Sequence, residues 1–123
     1  MTTRDWAGLD QWRREGAQIW ASKRLDESTP WFDGHFPGQA ILPGVAMLAL
    51  VCQATRRGFD EALILRQVAR VRFLDLVTPG VELALTLELK ESREEVETAF
   101  SVDAAEQNFA RGRLIFARRD LGS

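Results

Sequence analysis

The chain holds one histidine, His35, and one cysteine, Cys52, so few side chains can exchange a proton near neutral pH. His35 stands among turn formers, in Ser28-Thr29-Pro30-Trp31-Phe32-Asp33-Gly34-His35-Phe36-Pro37-Gly38. A lone histidine is usually an ordinary structural or surface residue. The setting of this one points further, because Gly34, Pro37 and Gly38 fix its loop, and loops on rigid scaffolds carry working groups. The loop runs into Pro43-Gly44, where proline suits the first turn of a helix. The first N–H groups of that helix, at Gly44 and Val45, have no acceptor within it and suit a developing oxyanion. A base facing such a site fits proton abstraction next to a carbonyl.

The elements that must hold this loop follow from periodicity. After Pro43-Gly44, Val45, Leu48, Val51, Cys52 and Thr55 share one helical face, and Ala46, Ala49 and Leu50 leave the other apolar too. Such a helix is expected to be buried. Arg56, Arg57 and Gly58 suit its C-terminal end. Gln18 to Leu25 reads as a strand before the loop. Beyond the helix the period becomes two, with Val81, Leu83, Leu85, Leu87 and Leu89 alternating with polar or small residues. Val68 to Val77, Glu95 to Val102 and Phe109 to Ala117 read as further strands, and Thr78-Pro79-Gly80 breaks the first of these from its successor. Residues 1–15 read as an N-terminal arm or short helix. One apolar helix and five or six strands imply an α+β domain, an antiparallel sheet wrapped around the helix, over residues 1–123.

Composition narrows the function classes. A net charge of −2 argues against nucleic-acid binding through bulk charge. The short basic clusters Arg13-Arg14, Arg56-Arg57 and Arg118-Arg119 read as solvated patches or as docking spots for an acidic partner. One cysteine and one histidine are too few for a transition-metal cage, and no glycine-rich phosphate loop is present, so no metal or cofactor is expected. Cys52 reads as a small core residue. The N-terminus lacks a secretory apolar stretch, and the longest apolar run, Val45 to Cys52, is too short for a bilayer. A soluble cytoplasmic protein is expected.

The stretch Phe32 to Gln53, with Gly34-His35-Phe36-Pro37 followed by Leu42-Pro43-Gly44-Val45, resembles the signature of the β-hydroxyacyl-acyl-carrier-protein dehydratases. A second segment, Val71-Arg72-Phe73 through Val77-Thr78-Pro79-Gly80-Val81-Glu82-Leu83, resembles that family's strand–PG–strand region. The resemblance implies a hotdog fold, a dimer or trimer of dimers, and substrate tunnels at the dimer interface. It implies that His35 removes a proton from a (3R)-hydroxyacyl thioester while the Gly44 N–H steadies the enolate oxygen. A carbonyl near Ile41 would orient the imidazole, and Gln53 would give structural support. Phe36, Pro37, Ile41, Pro43, Val45 and Ala49 would form the substrate-binding set. Trp31 and Phe32 would line the tunnel mouth or anchor the loop, and Phe73, Leu74 and Leu76 would border the tunnel.

The sequence departs from the family at one position. The acid that protonates the departing hydroxyl belongs fourteen residues after the histidine, where this chain has Ala49, and no carboxylate lies between Gly34 and Phe59. Asp33, Asp60 and Glu61 are poor substitutes. The readings left open are an unusual dehydratase, one half of a heterodimer whose acid-bearing homologue completes the site, and a non-catalytic binding module. A thioesterase is a weaker fourth. The expected partners are an acyl carrier protein or a coenzyme A thioester, with a homo-oligomer or heterodimer as the assembly and neither nucleic acid nor membrane as a partner.

Overall fold

The computed structural model describes residues 8–25 and 42–118. Their elements run β1 (Gln11–Glu15), β2 (Gln18–Arg24), α1 (Gly44–Gly58), β3 (Ile64–Phe73), β4 (Glu82–Glu91), β5 (Glu95–Ala104) and β6 (Gln107–Ala117). Alternation builds the sheet. β4 buries Leu83, Leu85, Leu87 and Leu89, β5 buries Val96, Thr98, Phe100 and Val102, and β6 buries Ala110, Leu114 and Phe116. Each large apolar side chain so removed from water is worth about 2 kcal/mol. The six strands form one antiparallel sheet in the order β1-β2-β4-β5-β6-β3. β4, β5 and β6 make a meander, while β2 and β3 dock on its flanks. β1 and β3 are the edges.

α1 lies on one face of this sheet. Ala46, Leu50 and Ala54, with Met47, Val51 and Thr55, recur at four-residue spacing and are all buried. The Thr55 hydroxyl donates to the Val51 carbonyl at 2.9 Å and lies 3.3 Å from Thr98 Oγ1 on β5, which ties the helix to the sheet. The opposite side of the helix departs from expectation. Val45 is 64% exposed, and Leu48 and Ala49 are half-buried. A single sheet covers a single helical face, so within one chain the second apolar face stays partly open.

Two further expectations are corrected. The N-terminal residues 11–15 form strand β1, hairpinned onto β2, rather than a helix or irregular arm. All five residues of β1 are exposed, so no apolar alternation marks it. The strand expected over Val68–Val77 sits earlier, at Ile64–Phe73. It ends because the chain turns away after Leu74 N–H donates to the Phe109 carbonyl (2.8 Å), and Val77 becomes a fully buried plug outside any strand. The α+β class and the sheet-around-helix architecture of the hotdog stand.

Candidate active site

His35, Phe36, Pro37 and Ile41, together with Trp31, Phe32 and Asp33, lie outside the described residues. Both stems of their loop are described, and one segment holds the two. Leu25, where the chain leaves β2, donates its N–H to the Val81 carbonyl (2.9 Å), and its own carbonyl accepts from Gly80 N–H (2.8 Å). Leu42, where the chain returns, donates its N–H to the Val77 carbonyl at 2.8 Å. Leu25, Leu42 and Val77 are all buried. Gly80 makes this possible, since its φ of +99° is open only to glycine at little cost. The Val77–Val81 segment, which the sequence offers only as a supporting motif, is the clamp that holds the chain at Leu25 and at Leu42.

From Leu42 the chain passes to Pro43, which has φ −65° and ψ 148° and precedes the first helical residue without any side-chain cap. The Pro43 carbonyl accepts from Ala46 N–H (3.0 Å) and Met47 N–H (3.4 Å). No backbone acceptor among the described residues takes the N–H of Gly44 or Val45. The first turn of α1 carries no acidic residue, so the partial positive charge of the helix start is left for another anion. Gly44 has a steric reason to be glycine. A Cβ there would stand 2.8 Å from Cζ of Phe73, so the ring rests directly on the glycine. Val45, Ala49 and Gln53 then run along the half-open side of α1. No carboxylate occurs on the helix. Gln53 presents a buried Oε1 with no hydrogen-bond partner among the described residues.

The remaining candidates sort plainly. Asp60 accepts from Ala62 N–H (2.9 Å) in a turn, and Glu61 pairs with Arg57 at 3.6 Å on the surface. Burial pushes the Cys52 thiol above its ordinary value of 9.0, with Arg56 pulling partly back, so the thiol is a core group. Phe73, Leu74 and Leu76 are exposed beside the β3 edge. The basic clusters visible in the sequence are engaged locally. Arg13 stacks on Trp20 (4.4 Å), Arg14 donates to the Gly16 and Gly58 carbonyls, Arg56 donates to the Leu63 carbonyl, and Arg118 pairs with Glu91.

The family described as ApeI-like, ApeI dehydratase, matches residues 11–113, which takes in the helix, strands β1 to β5 and the first part of β6. The chain belongs to this family. Among curated relatives, the 3-hydroxyacyl-[acyl-carrier-protein] dehydratase FabZ of Ralstonia nicotianae is 33% identical over 86 residues, covering 62% of this chain and 52% of that protein. The FabZ of Haemophilus influenzae is 30% identical over 115 residues, 86% of this chain and 78% of the relative. The alignments with the first of these relatives span little more than half of their length. Among solved structures, the dehydratase heterocomplex ApeI:P from Xenorhabdus doucetiae superposes with a TM-score of 0.78 at 24% identity, covering 89% of this chain and 96% of that one. That likeness establishes the fold the ApeI-like chain shares. Among the described residues, no helix is long and apolar enough to cross a membrane.

Proposed function

We propose that this ApeI-like chain takes part in dehydration of a (3R)-hydroxyacyl thioester carried by an acyl carrier protein or coenzyme A, as a cytoplasmic enzyme. The observation that carries the reading is the helix start. Gly44 offers an N–H free of any described acceptor at the start of α1, two residues beyond the clamped Leu42. In this reading His35 takes the proton from the carbon next to the carbonyl. The C–H electron pair moves into the thioester as an enolate, whose oxygen the Gly44 N–H stabilises. The pair then returns to form the C=C bond as the hydroxyl leaves with a proton, as water. Phe36, Pro37, Ile41, Pro43, Val45 and Ala49 line the substrate's path.

The proton donor is the missing part. Ala49 cannot supply it, and general-acid help is worth about 10² to 10⁴ in rate. This favours a second form of the same reading, in which an acid-bearing homologue pairs with this chain and completes the site opposite His35. The edge supports assembly with some copy or homologue. Ile64, Val68, Phe73, Leu74 and Leu76, with Val45 on the helix, expose apolar side chains on or beside the strand that ends the sheet. A homodimer or larger homo-oligomer, or a binding-only subunit, is the alternative arrangement.

The test is hydration or dehydration of a short enoyl or (3R)-hydroxyacyl thioester by the purified chain, alone and mixed with an acid-bearing homologue, with His35→Ala alongside. Turnover that disappears in His35→Ala supports the reading. Turnover only in the mixture assigns the acid to the partner. Ala49→Glu is expected to raise the rate of the chain alone. Thioester binding without turnover in any combination leaves a binding module and ends the catalytic proposal.

A further inference from the structure

Strand β3 carries three arginines and no carboxylate, in a chain whose net charge is −2. Arg66, Arg70 and Arg72 are exposed on this edge strand, interleaved with exposed Ile64, Val68 and Phe73. Among the described residues none of the three lies within ion-pair distance of a carboxylate. Glu94 lines a cleft with Arg66, Arg93 and Arg118, where cations outnumber it. Behind the edge, β6 sets Arg111 opposite Arg72, and only Arg113 is neutralised, by Glu97 at 2.7 Å.

Two β-bulges fall on these arginines. Arg66 is left over between Leu65, opposite Phe116, and Gln67, opposite Ile115. Arg70 and Val71 are left over between Ala69, opposite Arg113, and Arg72, opposite Arg111. Arg70 takes φ 55°, a left-handed conformation that costs an L-residue energy. Gly112 makes room for the bulge, since a Cβ there would stand 2.7 Å from the Val71 Cα. Bulges and cations on an edge strand turn away strands of the wrong kind. The exposed apolar side chains between them still invite one of the right kind.

A second copy would meet this edge antiparallel, about a two-fold axis, so each residue would face the one equally far beyond the axis. With the axis at Val68, Arg66 faces the copy's Arg70. At Ala69, Arg66 faces the copy's Arg72, and at Val71, Arg70 faces the copy's Arg72. At Arg70 or Arg72 the arginine faces its own counterpart. Like charges directly opposite are unfavourable, and repulsion of this sort specifies a partner by excluding others. Carboxylates in those places would form charge-assisted pairs instead. We infer that the β3 edge selects a chain of the same fold whose own edge strand carries carboxylates, in preference to a second copy. The inference rests on the partner form of the reading above and states what that homologue's edge must carry.

The probe is this chain with its edge reversed, Arg66→Glu/Arg70→Glu/Arg72→Glu, mixed in equal amounts with the natural chain. Native mass spectrometry at low salt should show the mixed pair favoured about tenfold over what random pairing gives. Sedimentation equilibrium of the natural chain alone should show self-association tightening about threefold or more as sodium chloride rises from about 0.05 to about 0.5 M, because salt screens like charges. Arg66→Gln/Arg72→Gln should self-associate more tightly at low salt and lose that dependence. This neutral variant decides if the reversed chain does not fold by far-UV circular dichroism. Random pairing or no pairing of folded chains, or self-association indifferent to salt and to the glutamines, overturns the inference. Turnover enters none of these readouts. A favoured mixed pair beside a chain that never turns over keeps this inference and loses the dehydratase reading, and turnover with random pairing does the reverse.

Discussion

Ala49 and Cys52 lie one helical turn apart on α1 and answer different questions. Ala49 is half-buried on the side away from the sheet, where the resemblance would put a carboxylate and the helix has none. Cys52 is chemically able but sealed in. Its thiol is raised by desolvation, so the folded chain holds that proton to higher pH than the unfolded chain does. Its contribution to stability is therefore whole below about the ordinary thiol value of 9.0 and is lost as pH climbs through the raised native value. Urea midpoints are expected to fall on that alkaline limb in the natural chain and to fall less in Cys52→Ala. Alkylation of Cys52 at pH 8 should be slow until denaturant is added. His35 lies outside the described residues, while Cys52 as core was readable from residue type and neighbours. The hold of the loop was not, because Leu25, Leu42 and Val77 meet only after the chain has folded back on itself.

At the scale of the element, the helix was the most legible part. Proline at its entry and Arg56-Arg57-Gly58 at its exit gave bounds that agree with Gly44–Gly58. β4, with its strict alternation, was nearly as plain. β1 and β3 were not. Both are edges with mostly exposed residues, so no single buried face imposes a period of two on them. The glycines that shape these elements give a graded test. At Gly58 an added Cβ would meet the Cδ1 of fully buried Ile19 at 2.5 Å, so Gly58→Ala crowds the core and should cost about 1–3 kcal/mol. At Gly112 the obstacle is backbone, and Gly112→Ala must displace the bulge itself. It should cost more, about 3 kcal/mol or above. Denaturant melts of the two variants check the order.

For the whole molecule, the uneven distribution of apolar surface matters most. The side of α1 facing the sheet is sealed, while Val45 and the β3 edge with Ile64, Val68 and Phe73 are open. A protein with these residues permanently in water would risk unspecific edge pairing. Val68→Glu is expected to shift the sedimentation of the purified chain toward a monomer, with the fold retained in far-UV circular dichroism. A chain that sediments as a monomer before the substitution would remove the edge as the seat of assembly. The strand order bears on time as well as shape. β4, β5 and β6 are joined by short turns at Ser92–Glu94 and Ala105–Glu106, so their ladders close small loops. β2 must find β4 across the entire histidine loop, the helix and β3, which is a far costlier closure. The meander is therefore expected to form early in refolding, with the β2–β4 ladder, and with it the clamp on the loop, closing late, over about milliseconds to seconds. Stopped-flow refolding should show Val102→Ala slowing the folding arm and Ala21→Gly mainly speeding the unfolding arm. Leu25, at the end of β2, would then be among the last residues of the chain to be held in place.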